Sequence, residues 1–335
     1  MQMNEKDNLM KMLRGDMPDW LPFDGYGMET PGIEPMITQV NCSAFVRHDN
    51  KDMFGVEYTA TDSAGGGSLP TPNYFILKDI HDWPDVIKVP DLSDIDFNEL
   101  ARKDMEGIDR SKTAIKIRPG GGYFQLLMSF MGFTEGLFTL AVDPEEVYNL
   151  FEYLADFYDE LAVRMIDAYR PDIFGLGDDV ASAQNLFISY PMWSELVKPF
   201  QQRFAKHANE LGIPCSMHCC GKCDVLIDDW MSYGVKIWDP VQTMNDIPAI
   251  KEKYGRSLIL AGCGSHQDAF LFSWSTEEEV RECMRKKIDS YAPNGGYFCR
   301  GYVVGPKDDP TVALRRNWVV DEYLKYGRDW YQRNA

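Results

Sequence analysis

No run in the sequence approaches the ~20 consecutive apolar residues that a membrane-spanning helix requires, so a span of that kind is excluded. Positive charge is scarce: 34 Lys and Arg stand against 52 Asp and Glu, a net charge of −18, which argues against nucleic acid or an anionic membrane surface as partner. The opening Met1-Gln2-Met3-Asn4-Glu5-Lys6-Asp7 has no apolar signal core, and a cytoplasmic location is expected. Low-complexity linkers, fixed-period repeats and a clear domain boundary are also missing, so residues 1–335 are expected to form a single domain. With 44% hydrophobic content, a chain of this length can bury a sizeable core.

From residue 113 onward, short β-branched apolar runs alternate with long helical ones, the pattern of a parallel sheet covered by helices. Strands are expected at Ala114–Arg118, Asp172–Leu176, Ile213–Met217, Val235–Trp238, Leu258–Ala261 and Gly296–Cys299, with an earlier one at Trp20–Phe23. Helices are expected at Pro144–Tyr169, Met192–Leu211, Asp246–Tyr254, Thr276–Tyr291 and Pro310–Tyr326. Asp143-Pro144 and Ser275-Thr276-Glu277-Glu278 carry helix-start chemistry, while Gly212 and Gly255 close helices.

Polar and metal-binding residues collect just after these strands: Asp178 and Asp179, His218 and Cys220, Asp239 and Gln242, Cys263, and Cys299. In a (β/α)8 barrel the carboxyl ends of the strands form one rim, where sequence-distant residues become neighbours. The expected fold is therefore α/β, a single (β/α)8 TIM-type barrel with an N-terminal extension.

On that rim His218, Cys220 and Cys299 read as a zinc site. Two residues two apart on a strand share a side, and three protein ligands leave the ion an open position for a substrate. Glu29, Asp179, water or substrate are candidates for the fourth ligand. Cys42, Cys215, Cys263 and Cys283 read as packed core thiols. Cys219 and Cys223 read as bystanders, although Cys220-Gly221-Lys222-Cys223 is also a C-x-x-C of the redox type. Asp178 and Asp179 are the candidate catalytic residues, as base, substrate-holding group or further ligand; capping of the next helix is the plainer role. Gly120-Gly121-Gly122 suits a close backbone approach or a simple turn, and Phe23, Tyr26, Phe54 and Tyr58 suit a pocket wall or core.

The chain resembles the uroporphyrinogen decarboxylase superfamily. The resemblance runs through Asp52-Met53-Phe54-Gly55-Val56, Gly65-Gly66-Gly67, Pro90-Asp91, Asp178-Asp179, Phe187-Ile188-Ser189, Trp193, Lys198-Pro199-Phe200, His218 with Gly221, and Gly295-Gly296-Tyr297. It implies the same barrel with its site at the carboxyl-end rim. The decarboxylases grip porphyrin carboxylates with an Arg-rich amino-terminal segment, whereas Pro22-Phe23-Asp24-Gly25-Tyr26-Gly27-Met28-Glu29-Thr30 has no arginine to pair with them.

The H-x-C and remote Cys pattern is instead similar to the zinc-dependent, corrinoid-linked methyltransferases of the superfamily, whose ligands map onto His218, Cys220 and Cys299. Asp239 to Gln242 and Lys251 to Gly255 look like the enzymes that demethylate methoxylated compounds. Cys263-Gly264-Ser265-His266-Gln267 departs from that pattern. The resemblance implies methyl transfer from a small methylated substrate to the cobalt of a corrinoid. Asp79-Ile80-His81-Asp82-Trp83-Pro84 has proline where a corrinoid-binding D-x-H-x-x-G needs glycine, so a separate corrinoid carrier protein is the implied partner. Transfer from methyl-corrinoid to a thiol, decarboxylation, and a non-catalytic metal- or corrinoid-protein-binding module are the alternatives.

Overall fold

The computed structural model describes residues 3–26, 30–61, 67–305 and 309–335; Glu29 and the Gly65-Gly66 pair lie outside them. Eight parallel strands make the barrel: β1 (Phe23–Asp24), β2 (Ile37–Val40), β3 (Ala114–Ile117), β4 (Ile173–Gly177), β5 (Cys215–His218), β6 (Val235–Trp238), β7 (Ile259–Ala261) and β8 (Tyr297–Arg300). They pair in chain order from β2 to β8, and β8 pairs with β1. Among the described residues β1 and β2 share no ladder, so the ring is hydrogen-bonded at seven junctions and carries a seam at the eighth. The six expected strands from residue 113 onward sit within two residues of the observed ones, while the expected Trp20–Phe23 is observed as Phe23–Asp24. β2 was not expected, and the sequence's single long helix over 192–211 is instead Tyr190–Leu196 followed by Lys198–Glu210.

Side chains alternate across each strand, dividing the apolar residues into two cores. Outward-facing residues pack under the helices, among them Leu176, Met217, Trp238 and Leu260. The barrel lumen at the amino ends of the strands holds a smaller set: Ala114, Ile173, Ile237, Ile259, Ala261 and Phe298. Leu9 and Met12 complete this lumen core, so the amino-terminal helix Glu5–Leu13 plugs the bottom of the barrel. Its start is secured by a reciprocal capping box between Asn4 and Asp7. Among the described residues no single helix is long and apolar enough to cross a membrane.

Higher in the lumen the core becomes ionic. Arg300 of β8 pairs with Asp24 of β1 at 2.7 Å and with Asp239, the residue after β6, while Lys116 of β3 reaches Asp239 at 3.3 Å. All four are buried. They floor a cleft of about 850 Å³ that opens along the seam and is walled by Phe23, Tyr26, Ile37 and Thr38.

Candidate metal centre

Strand parity sets the site. Cys215 and Met217 of β5 belong to the outer core, so Ser216 and His218 face inward. His218 is the last strand residue, paired with Gly177 of β4, and its carbonyl accepts the backbone N–H of Asp178 at 3.0 Å. The chain then turns at Gly221, whose φ of +91° and close approach to the carbonyls of Ala181 and Ser182 leave no room for a Cβ. Gln242 fixes this turn by accepting the Gly221 N–H at 2.6 Å, and Asn245 donates to the Gly221 carbonyl at 2.9 Å. Asp179 Oδ1 accepts the Cys220 N–H at 2.7 Å.

These constraints bring three donor atoms together. His218 Nε2 lies 3.9 Å from Cys220 Sγ and 3.9 Å from Asp179 Oδ1. Among the described residues, Asp179, His218 and Cys220 are the one group of three such side chains whose donor atoms all fall within 4.8 Å of one another. Metal–ligand bonds of about 2.0–2.3 Å at tetrahedral angles separate donors by roughly 3.3–3.8 Å, and the two separations from His218 lie just outside that range.

The electrostatics fit a cation. Burial, helped by the positive charge of Arg118, lowers His218 to about 4 and keeps its imidazole neutral, the form that ligates metals. Burial, then repulsion from Asp179, pushes the Cys220 thiol well above its usual range. A thiol beside a carboxylate gives up its proton readily only to a cation, and a bound divalent ion deprotonates a coordinating thiol outright.

Cys299 is not brought to this group. It is the third residue of β8, so Tyr297 and Cys299 face the helices while Phe298 and Arg300 face the lumen. Its register partner is Phe23, whose ring meets Tyr323 at 4.6 Å in the outer core. Burial among these rings lifts the Cys299 thiol to about 12. Of the expected ligands, His218 and Cys220 are brought together and Cys299 is not, because strand alternation turns it the other way; Asp179, expected as a candidate fourth ligand, stands beside the pair.

The two aspartates separate as well. Asp178 is buried and accepts the backbone N–H groups of Phe124 at 3.0 Å and Gln125 at 2.9 Å, the first turn of helix Tyr123–Met131. Asp179 holds the metal-ligand group and takes the Gln125 side-chain amide at 3.0 Å. Cys219, Cys223 and Cys263 are buried in the outer core, and His266 is exposed. The turn at Gly120 and Gly121 packs against the Tyr158 and Phe204 rings. Sequence reasoning passed over Lys116, Arg118 and Arg300. Their signal was a cation at alternate positions of runs otherwise fit for a buried strand, Ala114-Ile115-Lys116-Ile117-Arg118 and Tyr297-Phe298-Cys299-Arg300.

A family model described as Uroporphyrinogen decarboxylase (URO-D) matches residues 119–306, more than half of the chain. Comparison with curated proteins gives no sequence match. A solved structure of a methyltransferase from Methanosarcina mazei is similar in fold, with a TM-score of 0.62 and 12% sequence identity. The superposition covers 97% of this chain and 100% of that one.

Proposed function

The chain belongs to the uroporphyrinogen decarboxylase family, and from that premise we propose that it is a zinc-dependent methyltransferase. Its substrate is a small methylated compound of the methoxylated kind, and the methyl acceptor is the cobalt of a corrinoid held by a separate carrier protein. The observation that carries this reading is the Asp179, His218 and Cys220 group on the carboxyl-end rim. Three donors at zinc-ligand spacing leave one position for a substrate heteroatom. The fold neighbour is itself described as a methyltransferase, which is consistent with the reading. The absence of arginine from residues 22–30 argues against a porphyrin polycarboxylate.

Bound at these ligands, zinc would supply Lewis-acid polarisation of the heteroatom that bears the methyl group. The chain's own residues do the rest. Asp179 and the Cys220 thiolate contribute two negative charges and His218 none, which neutralises a divalent ion. The Gly221 turn, pinned by Gln242 and Asn245, holds Cys220 toward His218. Tyr26 walls the cleft along the seam, above the ion-paired floor. The ion-paired floor of Asp239, Lys116 and Arg300 keeps the rim from collapsing into the lumen.

Metal analysis of the purified protein, followed by methyl transfer from methoxylated compounds to cobalt(I) cobalamin read from the corrinoid absorbance, tests the proposal. One equivalent of zinc and cobalt methylation are expected. Full activity after exhaustive chelation would sink the zinc-dependent reading.

A further inference from the structure

Among the described residues, three cations carried by β3, β8 and their ends face the lumen, and two of them are matched. Lys116 is paired with Asp239, and Arg300 with Asp24 and Asp239, so the cleft floor is neutral. Arg118 is left over. It follows β3 directly, is half-buried, and makes no hydrogen bond or ion pair among the described residues.

Its seat is built into the neighbouring strand. A Cβ on Gly177 would lie 2.5 Å from Arg118 Cζ and 2.8 Å from Nε, and one on Gly175 would lie 2.9 Å from Arg118 Cβ. The guanidinium therefore occupies the space that a side chain on Gly177 would fill. Gly177 is the register partner of His218, so Arg118 lies about one strand spacing, ~4.8 Å, from the metal-ligand strand. A planar fork of donors, part-desolvated and without a protein acceptor, matches a carboxylate in two-point contact.

We infer that Arg118 binds a carboxylate on the substrate, so that the methyl donor is an anionic, carboxylate-bearing methoxylated compound. This deepens the methyl-transfer reading and rests on it for the identity of the reacting end. The carboxylate docks on the guanidinium across Gly177 while the methyl-bearing heteroatom faces the metal ligands. Tyr26 walls the cleft on the seam side. Arg118 is a binding residue for the end of the substrate remote from the methyl group.

Calorimetric titration of the zinc-loaded protein with 4-methoxybenzoate and with its neutral isostere 4-methoxybenzamide tests the inference without requiring turnover. The acid is expected to bind roughly 10- to 100-fold more tightly, the range of one charge-assisted pair. Arg118→Gln should abolish that preference while zinc content stays at one equivalent, and Arg118→Lys should keep part of it. Gly177→Ala keeps the charge but fills its seat, and should lose the preference as well. Equal affinity for the two probes, no binding of the acid, or a preference that survives in Arg118→Gln overturns the inference. A protein that prefers the acid yet never methylates cobalt would refute methyl transfer and leave the Arg118 site standing; cobalt methylation without acid preference would do the reverse.

Discussion

Cys220 and Cys299 carry the same thiol in opposite surroundings. Cys220 sits beside a carboxylate and an imidazole nitrogen, where a cation relieves the repulsion. Cys299 sits among Tyr297, Phe23 and Tyr323, packed in the outer core away from the carboxylate and imidazole that flank Cys220. Cys220→Ala and Asp179→Asn should therefore each lose stoichiometric zinc, measured by metal analysis after gel filtration. Cys299→Ala should keep the metal and cost roughly 1 kcal/mol of stability in a denaturant titration; loss of zinc in that variant would return Cys299 to the ligand set. The His218 and Cys220 pairing was legible in the sequence because both lie on one short segment. Asp179 was legible only as a candidate, since its carboxylate is held by the Gln125 amide and the Cys220 N–H, contacts made only when the strand ends meet in the barrel. The remote thiol was misplaced because spacing along the chain says which strand a cysteine occupies but not which face it takes.

Elements meet at their ends, and Asp178 shows how one strand end starts another element. Helix Tyr123–Met131 begins at Gly122, which has no capping side chain, and the missing acceptor comes from Asp178 after β4. Burial dominates its ionisation and raises it to about 7, against the pull of the two N–H groups. A folded-state value above the ordinary one means that the native chain binds the proton more tightly. This stabilisation is complete below about pH 4 and is lost as pH rises to about 7. The stability difference between wild type and Asp178→Asn should accordingly change between pH 4 and 7 and level off above, as followed by thermal unfolding across that range; a difference independent of pH would refute a raised Asp178. Element boundaries were readable where periodicity ran long, as in Pro144–Tyr169, which the structure reproduces residue for residue. They were not readable where proline intervened: Pro199 lacks the N–H that would continue helix Tyr190–Leu196, so Lys198–Glu210 starts afresh. β2 was not readable because Thr38 and Gln39 interrupt its apolar run and only Val40 is fully buried.

At the scale of the molecule, the lumen is held by charge. Asp24, Arg300, Asp239 and Lys116 join β1, β8, β3 and the end of β6 across the barrel. Burial alone would raise Asp239; Arg300 and Lys116 overcome it and hold the carboxyl well below the usual range. Removing Arg300 strips the buried Asp24 of its ion pair and leaves Asp239 to Lys116 alone, so Arg300→Met should cost about 3–5 kcal/mol in urea titration. Because the pairs are buried, added salt should barely change that cost. The barrel itself was readable from the rhythm of strands and helices and from polar residues gathered after strands. The ionic lumen was not, because it is made by residues 24, 116, 239 and 300, which only closure of the ring brings within reach of one another.

The seam between β1 and β2 gives the ring the mechanics of a split collar. Parting it at that line breaks no backbone ladder, whereas parting it anywhere else breaks one. Transient opening should therefore start there, and the amides of Ile37–Val40 should exchange with deuterium well before those of Cys215–His218, which are laddered on both sides. A substrate entering by the cleft would use the one line along which the barrel yields without unravelling.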